Sequence, residues 1–154
     1  HPRFDAAQFK TRRPTPDLAL VKLAEPLPAR FAAARLVDDG GLPEKGASFV
    51  IAGFGMTADG ADRSAGTLRA VTLQSVGTTG GIMARLSAPE GGAGACTGDS
   101  GGPAFRDGAL AGVTGWVTGP GGSGCGNVTG VTLVSVHRDW IEATARSLGS
   151  PLGR

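Results

Sequence analysis

Ser100 sits in the segment Gly98, Asp99, Ser100, Gly101, Gly102, Pro103, preceded by Cys96 and Thr97. A serine nucleophile needs an exposed hydroxyl, backbone N–H groups converging where an oxyanion develops, and a path free of side chains. Glycines on both sides of the serine supply the last two. The competing reading is a Gly-rich turn with a solvated serine. A given hexapeptide arises by chance in a chain of this length about once in several hundred thousand trials, and this one has a mechanism behind it. Asp17 is a second candidate: it opens the run Asp17 to Leu23 (DLALVKL) behind Pro14 to Pro16, and by itself it reads as an ordinary carboxylate at a strand start. The two histidines are His1, in a His-Pro pair, and His137, which reads as a solvated histidine at the start of a terminal helix. Cys96 and Cys125 allow one pairing. As a disulfide they would contribute roughly 3–4 kcal/mol on the loop-entropy picture; as free thiols they would be buried and inert, and the spacing leaves both readings open.

The elements that must position these residues are short and turn-rich. The chain has 154 residues, 40% of them hydrophobic, enough for one ordinary core. Gly and Pro together make up about a quarter of it without any repeat period, which points to turn-rich β structure and excludes a helical bundle. The formal net charge is +2, and the longest basic patch is Lys10, Arg12 and Arg13, so a nucleic-acid or membrane surface is not called for. No apolar stretch is long enough to span a membrane. The chain opens on His1, without Met or a signal peptide, which reads as material removed or not included upstream. Strands are expected over Asp17 to Leu23, Ser48 to Phe54, Thr67 to Val76, Gly81 to Leu86, Ala109 to Val117 and Val128 to Val136, separated by Gly, Pro, Asp and Ser clusters. Such a series suggests a barrel or sandwich. Only the end reads as helix, with Asp139 and Glu142 forming a capping box, Ile141, Thr144, Ala145 and Leu148 on one face, and Gly149 and Pro151 as the stop. From Gly108 to Val136 there is no charged residue, and 15 of the 40 residues from Gly91 to Gly130 are glycine, as expected of a region where backbone must approach something closely.

The Gly98–Pro103 segment resembles the nucleophile loop of the chymotrypsin-like (trypsin family) serine proteases. Pro16 to Leu23 resembles the strand carrying that family's catalytic aspartate, Ala52 to Thr57 the entry to the second barrel, Gly112 to Val117 the substrate-binding strand, and Asp139 to Ile141 the start of the terminal helix. The resemblance implies an all-β, chymotrypsin-like double β-barrel, with part of the first barrel plus the second barrel and a C-terminal helix. The implied layout is residues 1–30 for the end of the first barrel, 31–47 for a linker, 48–136 for the second barrel and 137–154 for the helix and tail. It further implies Ser100 as nucleophile, Asp17 as the carboxylate that orients a histidine, and the N–H groups of Gly98 and Ser100 as the oxyanion hole. Asp99 resembles the aspartate that pairs with the N-terminal ammonium created by zymogen cleavage. Cys96 and Cys125 match a family disulfide beside the specificity pocket, and such a protein is secreted or periplasmic. Neither a metal nor an organic cofactor is implied.

The pattern breaks at the general base. In this family a histidine precedes the aspartate by about 45 residues, whereas His1 precedes Asp17 by only 16. The expectation is therefore a C-terminal portion whose His-bearing first-barrel segment is supplied by an N-terminal polypeptide of the same protease, with a peptide or protein as substrate. The rival is a protease homologue that binds proteins without turnover. Two substitutions bear on substrate choice. Gly115 stands where the family commonly has a serine that bonds the aspartate, and Gly94 stands at the pocket base in place of an acid. Val117, with Gly130 opposite, is expected to narrow the pocket beside Trp116, favouring small or medium apolar residues before the scissile bond. The G-x-S-x-G elbow of α/β-hydrolases also fits residues 98–102, with Asp107 or Asp139 and His137 as partners. That elbow needs a strand before the serine and a helix after it, and here a Gly-rich run precedes and Gly-Gly-Pro follows.

Overall fold

A computed structural model describes every residue except Arg12, Asp39, Pro120, Gly122, Ser123 and Arg154. Six strands are formed: β1 (Ser48–Gly53), β2 (Arg69–Thr79), β3 (Met83–Ser87), β4 (Pro103–Arg106), β5 (Ala109–Thr118) and β6 (Val128–Leu133). They close into an antiparallel barrel in the order β1-β2-β3-β6-β5-β4, sealed where Val50 and Ile51 of β1 pair with Phe105 and Ala104 of β4. Closure removes the unpaired edges that an open sheet of this size would expose.

The alternation of side chains dictates which face is inside. In β1, Phe49 and Ile51 are buried while Ser48 and Val50 face out, and Leu73 and Ser75 are the buried pair of β2. Phe49, Ile51, Leu73, Leu86, Val131 and Leu133 fill the barrel, and each large side chain taken out of water there contributes about 1.5–3 kcal/mol. The hairpin turns follow local chemistry. Asp107 and Gly108 both have positive φ, which suits a two-residue turn that matches strand twist, and Gly80 and Gly81, also at positive φ, open the three-residue connection from β2 to β3. The Asp107-Gly108 turn joins β4 to β5, and β4 is a strand that the sequence pattern did not suggest. Its run Pro-Ala-Phe-Arg is only four residues long, but the Asp-Gly dipeptide between it and β5 was the available signal.

Three expected features differ. Residues 17–23 do not form a strand, because no strand of this chain runs beside them to take up a ladder; Val21 is 80% exposed, and Leu23, Leu27 and Phe31 are exposed with it. Instead a one-turn helix, α1 (Ala6–Lys10), precedes them, capped by Asp5, which accepts the N–H groups of Ala7 and Gln8. Those amides, Gln8 first, hold the Asp5 carboxyl below its ordinary range. The terminal helix α2 (Arg138–Ser147) forms, but without a capping box: it grows out of a 3-10 turn, Ser135–His137, and Glu142 bonds Arg138 at 3.0 Å. It stops as expected at Gly149, whose φ is +68°, with Ser150 N–H bonding Ala145 and Gly149 N–H bonding Arg146.

Gly112, where β5 crosses β6, admits no side chain: a Cβ there would lie 2.7 Å from the Thr132 carbonyl oxygen and would run into Val131. Gly112→Ala is expected to lower stability by about 1–3 kcal/mol in equilibrium denaturant unfolding. Gly40→Ala, with nothing within 4 Å, should change it by less than about 0.5 kcal/mol.

Candidate active site

The loop from Cys96 to Gly102 is held from three directions. A disulfide joins Cys96 to Cys125. Gly101 N–H donates to the Thr114 carbonyl and Thr114 N–H to that of Gly102, at 2.7 and 2.9 Å, which ties the loop to β5. Asp99 supplies the third tie: its two oxygens accept the N–H groups of Gly55 and Cys96, each at 2.8 Å. Side chains at Gly53 or Gly55 would occupy the space of that carboxylate, so the glycines at the end of β1 are what admit it. Gly98 turns at φ +97°, a conformation that favours glycine.

Within this frame Ser100 is exposed, and its hydroxyl donates to the Gly115 carbonyl at 3.4 Å. Among the described residues, neither the Gly98 nor the Ser100 N–H has an acceptor, so both remain free to bond an oxyanion. Asp17 arrives from the other end of the chain. Its N–H bonds the carbonyl of buried Thr15 at 2.8 Å, and its Oδ2 lies 3.5 Å from the point where a Gly115 side chain would begin. Ser100 and Asp17, far apart in sequence, thus meet at Gly115. The Asp17 carboxylate has no hydrogen-bond donor among the described residues, and burial pushes its pKa up, opposed by the amino group of His1.

Neither histidine joins this cluster by a hydrogen bond. The His1 and His137 rings lie 5.1 Å apart, and His1 packs at 4.5 Å on Trp140. His137, expected in solvent, is instead 3% exposed, because the 3-10 turn tucks it under the chain start. Burial, then Arg3 and the His1 amino group, push its pKa down.

A cavity of about 270 Å³ opens beside Asp99, between Ile51, Gly53 and Gly55 on one side and Gly92 to Cys96, Cys125 and Gly126 on the other. Gly94 lines it. Gly115, Trp116, Val117 and Gly130 are not in its lining. The expected pairing of Val117 with Gly130 is corrected by a bulge in β5, which sets Val117 opposite Thr129 and Gly130 opposite Trp116. Val117 packs toward the core, and the Trp116 indole occupies the place of a Gly130 side chain. Asp59, Cys96 and Cys125 bring donor atoms within 4.8 Å of one another, but sulfurs joined in a disulfide carry no thiolate charge for a metal. Phe9 was not legible as a site residue; its ring edge lies 3.9 Å from the Gly115 side-chain position.

A closed antiparallel barrel followed by a helix, with a glycine-flanked serine beside it, is the chymotrypsin-like fold. The Trypsin family model matches residues 1–141, and the chain belongs to that family. It is 32% identical to Trypsin epsilon of Drosophila erecta, over 91% of this chain and 58% of that protein. With Kallikrein-11 of Homo sapiens it shares 30% identity, over 85% of this chain and 50% of the relative. Among solved structures it resembles a mutant of human heparin binding protein, with a TM-score of 0.65 and 23% identity, over 84% of this chain and 56% of that one. It also resembles neuropsin, a serine protease of mouse brain, with a TM-score of 0.60 and 26% identity, over 77% of this chain and 56% of that one. The chain therefore spans between half and three-fifths of the length of these proteins.

The Asp17 environment gives a sign for stability against pH. A carboxyl whose folded pKa exceeds its unfolded value of about 3.8 stabilises the fold when protonated and loses that contribution as pH rises through the folded value. Asp17→Asn is expected to unfold at higher denaturant than the parent at pH 7, with the gain vanishing below pH 4. An equal gain at pH 3 and pH 7 would contradict the burial argument.

Proposed function

We propose that this chain is the C-terminal portion of an exported serine endopeptidase, working by acyl transfer. Ser100 Oγ attacks the peptide carbonyl carbon as its proton passes to a histidine from an N-terminal polypeptide of the same protease. The N–H groups of Gly98 and Ser100 hold the oxyanion. The C–N bond then breaks as the histidine returns the proton to the departing amine, and water cleaves the acyl ester by the same route. Asp17 orients the histidine and stabilises its charged form.

The observation that carries this reading is the convergence at Gly115 of an exposed serine hydroxyl and a half-buried carboxylate that has no donor among the described residues. A buried carboxylate in that condition costs stability, and a second-chain imidazole would supply the missing donor. The exposed run from Val21 to Phe31 offers apolar surface on the segment that follows Asp17, where the rest of a first barrel would cover it. Asp99, facing the 270 Å³ cavity, is the group to which a new N-terminal ammonium would pair after processing. The disulfide, and the absence among the described residues of a helix able to cross a membrane, accord with export. For substrate choice, Gly94 stands where the base of the pocket would carry an acid, so no carboxylate is offered there to a Lys or Arg side chain, and small or medium apolar residues before the scissile bond are the better fit.

A second reading, a protein-binding homologue without turnover, draws on the lack of an imidazole bonded to Ser100 or Asp17 among the described residues. The two separate in the protease that carries the His-bearing segment. There Ser100→Ala should reduce turnover of peptide substrates by about three orders of magnitude or more with the unfolding midpoint unchanged. Retained activity would exclude Ser100 as nucleophile, and no activity in the unsubstituted protein would favour the binding reading. In the same assay, substrates with Ala or Val before the scissile bond should be cleaved faster than those with Arg; the opposite ranking would remove the Gly94 argument.

A further inference from the structure

One carboxylate joins the loop of residues 57–66 to the turn at 124–126. Asp59 Oδ2 accepts a hydrogen bond from the Gly124 N–H at 2.8 Å, and Asp59 Oδ1 lies 3.1 Å from Cys125 Sγ. A side chain at Gly124 would begin 2.9 Å from Asp59 Oδ1 and 3.2 Å from Thr97 Oγ1, so a glycine is what lets the three groups meet. Thr97 directly precedes Gly98, and its carbonyl accepts the Met56 N–H at 2.9 Å. The nucleophile loop, the 57–66 loop and the cavity wall therefore come together at Asp59.

The turn cannot hold itself. Gly124 and Gly126 have no side chains to pack, and glycine loses more chain entropy on ordering than any other residue. On one side it is anchored by the disulfide and by the Gly126 N–H bonding the Ala95 carbonyl at 3.1 Å. On the other side the anchor is Asp59. The loop that presents Asp59 is stiffened in turn: Ser64 Oγ accepts the Thr57 N–H at 2.9 Å, and the Arg69 guanidinium bonds the Ser64 carbonyl at 2.8 Å. Cys125 and Gly126 line the cavity, so the tie fixes one of its walls.

We propose that Asp59 is a positioning residue that clamps the 124–126 turn and so sets the shape of the cleft for substrate. The proposal rests on reading this cleft as peptide-binding; the clamp itself is a separate claim about the turn. It is tested on this chain by hydrogen exchange and on the protease bearing the His segment by steady-state kinetics. In Asp59→Ala, amides of residues 124–126 should exchange about tenfold faster, the loss of one charge-assisted bond, and KM for peptides should rise about five- to tenfold with kcat within about twofold. Asp59→Asn keeps an oxygen for the Gly124 N–H and should restore most of both. Asp62→Ala, which alters the same loop without touching the turn, should match the parent. Unchanged exchange in Asp59→Ala overturns the clamp, and a fall in kcat at constant KM overturns its role in substrate positioning. If the parent protease shows no peptidase activity, the peptidase reading fails by itself and the exchange result still decides the clamp.

Discussion

The site depends on a single carboxylate inserted between two glycines. Asp99 accepts the N–H groups of Gly55 and Cys96 and thereby couples the end of β1 to the start of the Cys96–Gly102 loop. Hydrogen bonds to a charged acceptor are stronger than neutral ones, and removing the acceptor would leave two inward-facing amides unpaired. Everything beyond it in the loop follows from that anchor. With residue 99 fixed, the left-handed turn at Gly98 and the bonds of Gly101 and Gly102 to β5 determine where the Ser100 hydroxyl and the two free N–H groups stand.

Glycine does elsewhere in the site what it does around Asp99. At Gly115 the absent side chain leaves a point bordered by Asp17 Oδ2, the Gly130 carbonyl and the Phe9 ring, at 3.5, 3.8 and 3.9 Å. The Ser100 hydroxyl reaches the same residue through its carbonyl. A serine at that position would offer Asp17 a hydroxyl; glycine leaves the carboxylate half-buried and without a donor among the described residues. Such local cost is what functional sites commonly carry, with the rest of the fold supplying the stability that offsets it. Here the closed barrel supplies it, since its interior is filled by aliphatic side chains and Phe49, and none of its strands is left with an open edge.

The segment leading up to β1 has the opposite character. Leu20, Leu36 and Ala47 pack against the core and Val37 is buried in it, but the apolar residues from Val21 to Phe31 lie in solvent. A strand is a cooperative property of at least two segments, so a sequence rich in Leu and Val takes up a ladder only where a partner backbone runs alongside. That is why the run beginning at Asp17 has strand composition and no strand structure.

Much of this was legible in the residues themselves. The glycine-flanked serine segment, most of the strands and the stop at Gly149 are local properties, written in short runs whose chemistry does not depend on distant neighbours. The Asp107-Gly108 turn was equally local but passed unnoticed because the strand before it is so short. Tertiary structure alone decided the rest. The bulge in β5 that turns Val117 away from Gly130 is a matter of register between two strands, and the burial of His137 depends on a chain segment more than a hundred residues earlier. The partners of Asp99 and Asp59 are backbone amides and a disulfide sulfur, groups that every residue or any cysteine pair can offer, so no side-chain pattern announces them. Residue types thus determined which polar side chains are on offer, while the closing of the barrel decided which of those residues meet, because only closure brings backbone from distant parts of the sequence within hydrogen-bond distance.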